Sequence, residues 1–386
     1  MASSLPRILV VYGTRPEAIK LAPVERLGRA ASGWELSACN SGQHRELLEP
    51  VLAALELRPE RALTVMRAGQ GLNQLTARLL RALDEVIAER SPAWVVVQGD
   101  TTTAMAAALA AFHRHVPVAH VEAGLRTGDL AAPFPEEANR QLVARVASLH
   151  LAPTPGAAAA LRREGIAARD IVVTGNTVVD AALWMRDRLP KDGRPPEASL
   201  TRFVSARRLV LVTGHRRESF DGGLEAVCRG VATLASAHPD VDFVYPVHLN
   251  PRVADATRTL LGRADNVHLI APVGYAAAVW LIARAEFVIT DSGGLQEEAP
   301  VFRKPVLVTR VATERPEGVA AGCAVVVGYD VARLVATASR WLEDRAAYEA
   351  VAPAASPYGD GLAGRRVIAA LRARLGLDHE SVEAWP

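Results

Sequence analysis

Short apolar runs alternate along the whole chain with longer amphipathic segments, and this alternation is what most limits the possible folds. The runs of the first half are RILVVYG, WELSACNSG, AWVVVQGD, PVAHVEAG, LHLAPT and DIVVTGN. Those of the second half are RLVLVTGH, VDFVYPVH, VHLIAP, EFVITDSGG, KPVLVTR and AVVVG. Segments such as EAIKLAPVERLGRA and TAMAAALAAFHRH lie between them and have helical periodicity. Continuous apolar strands separated by helices predict parallel sheets covered by helices on both faces.

The alternation stops between residues 185 and 205, where RDRLPKDGRPPEASL is rich in proline and charge. Such a segment is typical of a linker. We therefore predict an α/β protein of two doubly wound, Rossmann-like domains, residues 1–185 and 200–358. A last helix at 360–378 is expected to pack back on the first domain. Two such domains would face a cleft at the carboxyl ends of their strands, where sheets of this kind bind ligands.

The amino-acid composition limits the binding partners and the cellular compartment that we expect for this protein. The chain has 386 residues, 50% of them hydrophobic, and a net charge of +2, with lysine and arginine scattered rather than clustered. This distribution argues against nucleic-acid binding. We find no window of about 18 apolar residues that would cross a membrane and no signal peptide. The three cysteines are far apart, which is typical of reduced thiols, so we expect a cytoplasmic protein.

Polar clusters follow the strands directly. GTRPEAIK, SGQHR, QGDTTT and VEAGLR do so in the first half, and TGHRRES, PVHLNP, TDSGGLQEE and ATERPEG in the second. Each cluster alone is explained by turn and capping chemistry. Their shared position predicts that they line one binding region.

A diphosphate site is predicted where TDSGGLQEE turns from strand to helix. Ser292, Gly293 and Gly294 would present free backbone N–H groups and the positive end of a helix dipole to an anion. The following Glu297 and Glu298 are either first-turn acids of purely structural value or ligands of a ribose diol.

The turn GTRPEAIK offers two cations to a diphosphate. These are Arg15 and Lys20, although a lysine there is also compatible with a solvated helix face. The turn is not G-x-G-x-x-G, and strand two ends in Asn40 and Ser41 rather than in the acid that would hold an adenine ribose. A nicotinamide dinucleotide is therefore disfavoured. The histidines show no metal-ligand spacing, so we predict neither a metal nor a cofactor.

Four residues are candidates for acid–base chemistry, because each stands near the end of a strand or the start of a helix: Asp100, Glu122, Glu136 and His215. Asp100 and Glu122 would be positioned by a rigid sheet. The alternative for Glu136 is a first-turn acid paired with Arg140 four residues on. The alternative for His215 is a structural histidine.

Taken in order, these motifs resemble the non-hydrolysing UDP-N-acetylglucosamine 2-epimerases over essentially the whole chain. The resemblance rests on GTRPEAIKLAPV, GQHRELL, QGDTTT, HVEAGLRTGDL, PFPEEANR, VTGNTVVD, TGHRRESF, YPVHLNP, TDSGGLQEEAP, ERPE and SPYGDGLA. It implies a two-domain fold of the glycosyltransferase-B type and a homodimer. It also implies reversible inversion at C2 of UDP-N-acetylglucosamine, giving UDP-N-acetylmannosamine through elimination and re-addition of UDP.

The resemblance also implies roles for individual residues. Asp100, Glu122, Glu136 and His215 match the acid–base positions, with Glu137 and Arg140 as supports. The residues that match nucleotide-sugar contacts are Arg15, Lys20, Ser292, Gly293, Gly294, Glu298 and Arg315. A second UDP-N-acetylglucosamine site, which activates bacterial members, would be lined by Gln43, Arg216 and His248.

The segment APVGYAAAVW departs from the family pattern. Many relatives are expected to have a glutamine and an aromatic residue near the uracil where this chain has Val273 and Ala278. These smaller side chains predict a wider base pocket.

Three other functions share some of these features. A glycosyltransferase of the same architecture would need an acceptor and gives no reason for so many carboxylates. A nucleotide-sugar sensor would bind without turnover. A hydrolysing relative would release free N-acetylmannosamine, but GTRPEAIK and GHRRES favour the non-hydrolysing branch.

Overall fold

The chain forms two units, each built on a parallel sheet. The computed structural model describes residues 5–43, 45–67, 69–204, 207–214, 222–248 and 250–386. The first unit comprises Met1–Ala181 and Gly359–Pro386, and the second comprises Ala182–Tyr358.

The sheet of the first unit has seven parallel strands in the order β3-β2-β1-β4-β5-β6-β7. Their bounds are β1 (Arg7–Tyr12), β2 (Glu35–Asn40), β3 (Arg61–Ala62), β4 (Trp94–Gln98), β5 (Val118–Val121), β6 (Leu149–Ala152) and β7 (Ile171–Val173). All the strands predicted for the first half are present. The additional β3 has two residues, both exposed, which is too short to show a pattern in the sequence.

Helices cover both faces of this sheet. They are α1 (Arg15–Ala30), α2 (Arg45–Ala54), α3 (Leu72–Arg90), α4 (Thr102–His113), α5 (Glu136–Val146), α6 (Pro155–Arg163) and α7 (Thr177–Arg186). The alanine-rich α4 packs against α3 and α5, and its small side chains allow close packing in the core formed with β1 and β4.

The C-terminal helix α15 (Ala363–Arg374) packs on α1. The carboxylate of Asp180, on α7, accepts the backbone N–H groups of Ala363 (3.2 Å) and Gly364 (2.8 Å) at the start of α15. Glycine is needed at 364 because an added Cβ would lie 3.0 Å from the Cβ of Pro23 and 3.1 Å from Leu27 on α1. The last helix is therefore anchored within the first unit by a side-chain cap and by close backbone packing.

The sheet of the second unit has six parallel strands in the order β10-β9-β8-β11-β12-β13. They are β8 (Arg208–Thr213), β9 (Val241–Pro246), β10 (Val267–Ile270), β11 (Val288–Thr290), β12 (Val306–Val308) and β13 (Ala324–Val326). The helices are α8 (Gly223–Ala237), α9 (Pro251–Leu261), α10 (Tyr275–Arg284), α11 (Gly293–Glu298), α12 (Pro316–Ala320), α13 (Val331–Glu343) and α14 (Arg345–Val351). All the strands predicted for the second half are present.

The segment predicted as a linker is more ordered than its composition suggests. It contains a 3-10 turn, Ala198–Phe203, and buries Leu200 and Phe203 in an apolar cluster with β8 and α10. Residues with apolar side chains in a proline-rich stretch thus anchor it to the second unit. Among the described residues, no helix is long and apolar enough to cross a membrane.

Candidate functional site

Glu122 is held at the carboxyl end of β5 by two side chains. Lys20 Nζ, from α1, donates to its Oε1, and Gln98 Nε2, from the end of β4, donates to its Oε2. The side chains of Lys20 and Glu122 are only 8% and 6% exposed, so this is a buried ion pair. The φ of Glu122 is +63°, which is uncommon for a residue with a Cβ. The reading of Lys20 as a solvated helix residue is therefore wrong.

Asp100 follows the neighbouring strand β4 and is fixed from α5. Arg140 Nη2 donates to Asp100 Oδ2, and Asn139 Nδ2 donates to the backbone carbonyl of Asp100 at 2.9 Å. Arg140 is buried, whereas the Asp100 side chain keeps 26% exposure. Asp100 is thus oriented by a charged partner and still accessible to a ligand.

The loop from Glu122 to α5 is braced by Glu137. This fully buried carboxylate accepts the backbone N–H of Thr127 (3.0 Å), that of Gly128 (3.4 Å) and the amide of Gln141 (2.8 Å). Burial opposes its ionisation, but these donors and Arg140 lower the pKa of Glu137 below its usual value. Glu136 is the first residue of α5 and is half-buried. Glu137 therefore orders the loop whose end places Glu136.

Glu17, on the first turn of α1, is fully buried. Its carboxylate joins the turn that follows β1 to the turn that follows β4. Its Oε2 accepts the N–H of Gly13 (3.0 Å) and both the N–H and the hydroxyl of Thr14 (2.8 Å each). Its Oε1 accepts the hydroxyl of Thr101 at 2.6 Å. Burial raises the pKa of Glu17 to about 7, although these hydrogen bonds lower it in part.

Because the folded-state pKa of Glu17 is above the ordinary glutamate value of 4.5, stability is expected to fall as pH rises. Below pH 4.5 the carboxyl is protonated in both states; between 4.5 and about 7 only the unfolded chain loses the proton. Across this pH range the unfolding free energy therefore falls by about 3 kcal/mol. Unfolding midpoints measured at pH 4.5 and 8 should therefore fall further for the wild type than for Glu17→Gln, which cannot titrate. Parallel changes in the two proteins would contradict the assigned pKa.

Hydroxyl groups link the end of β2 to the start of α4. The Ser41 and Thr103 hydroxyl oxygens are 2.8 Å apart, and Thr103 Oγ1 donates to Gln43 Oε1 at 2.7 Å. A Cβ on Gly13 would lie 1.9 Å from Ser41 Oγ and 2.6 Å from Thr103 Oγ1, so only glycine fits there. Gln43, predicted to line a second ligand site, therefore belongs to this hydroxyl network. Arg15 is half-buried at the first position of α1.

In the second unit the predicted diphosphate segment follows β11. Ser292 precedes α11, its N–H donates to Thr290 Oγ1 at 2.9 Å, and Gly293 and Gly294 begin the helix. An added Cβ on Gly293 would lie 3.3 Å from the Arg315 guanidinium carbon, which shows that this cation packs against the glycine. The two lie together because Arg315 follows β12, the strand next to β11.

Two buried carboxylates orient Arg315. Its Nε lies 2.7 Å from Glu297 Oε1, and its Nη1 lies 3.7 Å from Glu314 Oε2. Burial alone would raise the pKa of Glu314, but Arg315 and Arg310 hold it at about 2. Glu297 is thus engaged in orienting a cation, and the neighbouring Glu298 is 8% exposed.

Two predicted residues, His215 and Arg216, lie outside the described residues. His248 is exposed after β9, and its Nδ1 accepts the N–H of Asn250 at 3.1 Å. Val273 is half-buried against an apolar cluster of the second unit, and Ala278 is half-buried on α10. The N–H of Gly274, between them, donates to Glu197 Oε1 at 2.8 Å.

Glu17, Gln98 and Thr101 were not among the site residues predicted from the sequence. Glu17 stands three residues after Thr14, a spacing that indicates a capping box and normally a surface position. Gln98 is the last residue of an apolar strand, where an amide is unusual, and this was the available signal. The hydrogen bond between Glu17 and Thr101 is visible only in the folded structure, because the two residues are 84 positions apart in the chain.

Comparisons with known proteins identify one family. The family model described as UDP-N-acetylglucosamine 2-epimerase matches residues 27–372. UDP-N-acetylglucosamine 2-epimerases of Escherichia coli and Yersinia pestis are each 47% identical over 369 residues, covering 95% of this chain and 98% of theirs.

A solved structure gives the same result. The crystal structure of UDP-GlcNAc 2-epimerase from Neisseria meningitidis, bound to UDP-GlcNAc, superposes with a TM-score of 0.90 at 39% identity and covers 95% of this chain and 100% of that one. The chain therefore belongs to the UDP-N-acetylglucosamine 2-epimerase family.

Proposed function

We propose that the protein interconverts UDP-N-acetylglucosamine and UDP-N-acetylmannosamine by elimination and re-addition of UDP. The observation that carries the proposal is Glu122, a carboxylate fixed at a strand end by Lys20 and Gln98 beside the turn of Asp100. Family membership and the UDP-GlcNAc bound to the Neisseria relative support the substrate.

The chemistry requires several acid–base groups. A base removes the proton from C2 of the sugar while the C1–oxygen bond breaks and UDP leaves, which gives 2-acetamidoglucal. A proton then returns to C2 from the opposite face as UDP adds again to C1. Because C2–H is weakly acidic, groups held in place on both faces are needed. Asp100, Glu122 and Glu136 supply carboxylates for this exchange, and His215 is proposed as a fourth group.

We propose that the second unit binds the UDP. The backbone N–H groups of Gly293 and Gly294, together with the Arg315 cation, suit the charge that develops on the departing diphosphate. Ser292 is proposed to contact the diphosphate beside them, although its own N–H donates to Thr290 Oγ1. Glu298 is proposed for the ribose, because Glu297 is engaged with Arg315. Val273 and Ala278 are proposed to leave extra space beside the uracil.

A D2O experiment tests the proposed reaction. Incubation of the purified protein with UDP-N-acetylglucosamine, followed by NMR, is expected to give UDP-N-acetylmannosamine with deuterium at C2. A glycosyltransferase or a sensor would leave the substrate unchanged without an acceptor, and a hydrolase would release free sugar. Either result would reject the proposal.

We also propose an oligomeric state and a mode of regulation for the protein. We infer a cytoplasmic homodimer, supported by family membership and by three free, buried cysteines. Gln43, Arg216 and His248 are proposed to line a second, activating UDP-N-acetylglucosamine site. In that case the reverse reaction should start slowly unless UDP-N-acetylglucosamine is added, and a full initial rate without it would exclude activation.

A further inference from the structure

We infer that Glu17 is a positioning residue for the reaction, holding the turn that carries Asp100 against the amino end of α1. The inference rests on the proposed function, because it takes Asp100 as a group that acts on the sugar. Glu17 itself is fully buried, so its role is exerted through its hydrogen-bond partners.

The contacts of the Glu17 carboxylate join two helices. All the groups described around the carboxylate are donors: two backbone N–H groups and a hydroxyl on Oε2, and the Thr101 hydroxyl on Oε1. Thr101 Oγ1 also accepts the N–H of Ala104 at 3.0 Å and so caps α4. One carboxylate thus ties the amino ends of α1 and α4 together, and these helices follow the neighbouring strands β1 and β4.

Helix capping alone does not account for this arrangement. A capping box explains the bond from the Thr14 N–H to Glu17, and a glutamate is normally exposed. It explains neither the complete burial nor the bond from Thr101, which is 84 residues away in the chain. Burying a carboxyl is costly unless its oxygens are satisfied, so the extra partner indicates that this position fixes a second element.

Asp100 lies within a turn that is held from several sides. His120 Nε2 lies 2.8 Å from the Gly99 carbonyl oxygen, Asn139 contacts the Asp100 carbonyl, and Glu17 accepts from Thr101. Three consecutive residues are therefore held by three different elements. Of these contacts, the one from Glu17 connects the turn to α1, which also carries Lys20, the partner of Glu122. Glu17 thus links the supports of both carboxylates.

Two substitutions break this link from opposite sides. Glu17→Ala removes the acceptor, and Thr101→Val keeps the side-chain shape but removes the donor, together with the oxygen that caps α4. A displacement of Asp100 by about 1 Å is expected to lower kcat by roughly 100-fold. UDP affinity should stay within about threefold of the wild-type value, because UDP is proposed to bind in the second unit. Glu17→Gln should recover most of the turnover, since its amide can accept from Thr14 and donate to Thr101.

Glu25 provides a matched control on the same helix. It is also fully buried, and its Oε1 accepts from Arg29 Nε at 2.9 Å, away from the turn of Asp100. Glu25→Gln is expected to lower the unfolding midpoint while leaving kcat within about twofold of the wild-type value. In the double variant Glu17→Ala/Thr101→Val, the loss in kcat should be close to the larger of the two single losses, because the bond between Glu17 and Thr101 is absent from all three variants.

The outcomes separate this inference from the proposed function. If the wild-type protein does not exchange C2–H in D2O, the proposed function fails. If it does and folded Thr101→Val keeps its kcat, the positioning role of Glu17 is rejected. The positioning role would also be rejected if Glu17→Ala and Glu25→Gln lost equal factors in kcat. It would likewise be rejected if the kcat losses of the two single variants multiplied in the double variant. A loss shared by Glu17→Ala and Thr101→Val, recovered by Glu17→Gln, supports it.

Discussion

Glu122→Gln is expected to lower turnover by about 10²- to 10⁴-fold, the usual range for removal of a general acid or base. Glutamine preserves the shape of the side chain and a contact to Gln98, but it cannot take up a proton. The measurement is the initial rate of UDP-N-acetylmannosamine formation, with UDP affinity determined in parallel by calorimetry. UDP affinity should change little.

The same substitution removes the negative charge from the buried ion pair of Lys20 and Glu122. Breaking such a pair is expected to cost about 3 to 5 kcal/mol of unfolding free energy. The double variant Lys20→Met/Glu122→Gln removes both charges and should recover much of this stability without recovering turnover. Substantial activity in folded Glu122→Gln would show that Glu122 does not exchange the proton.

Arg315→Met is expected to weaken UDP binding by about 10- to 100-fold, the value of one or two hydrogen bonds to a charged group. Its guanidinium packs on Gly293 and is held by Glu297, so the cation is already oriented where the diphosphate is proposed to lie. Preorientation matters because a flexible cation would lose side-chain freedom on binding. Calorimetric titration with UDP measures the effect directly.

Two controls separate binding from folding. Arg310→Met removes the other buried cation beside Glu314, with which Arg310 Nη1 forms a 2.6 Å bond, and should lower stability with a smaller effect on UDP affinity. Arg315→Met/Glu297→Gln removes both charges of one ion pair and should be more stable than Arg315→Met while remaining defective in UDP binding. Equal UDP affinity in Arg315→Met and the wild type would place the diphosphate elsewhere.

Much of the fold was predictable because its strands are buried on both faces and therefore appear as uninterrupted apolar runs. That pattern located every strand except β3, which is two residues long. It also located the polar clusters at the strand ends, including Asp100, Glu122 and Ser292. The linker was predicted less well, because Leu200 and Phe203 are isolated apolar residues whose burial depends on the surface they meet.

The site depended more strongly on tertiary contacts. Lys20 is on a helix and is compatible with a solvated position by sequence, yet it is buried against Glu122, which is 102 residues away. Arg140 is four residues from Glu136, but it donates to Asp100. Helical spacing predicts neighbours on the same helix, whereas a buried charge is directed by the need for a partner of opposite sign.

The sequence by itself determined the α/β class, the positions of the strand-end clusters and the family, since these follow from periodicity and from an ordered set of motifs. Only the tertiary structure decided which polar residues act as partners. It paired Lys20 with Glu122, Glu297 with Arg315, and Glu17 with Thr101. The reason is physical: a buried polar group is stable only when satisfied, and its partner is chosen by three-dimensional proximity rather than by spacing along the chain.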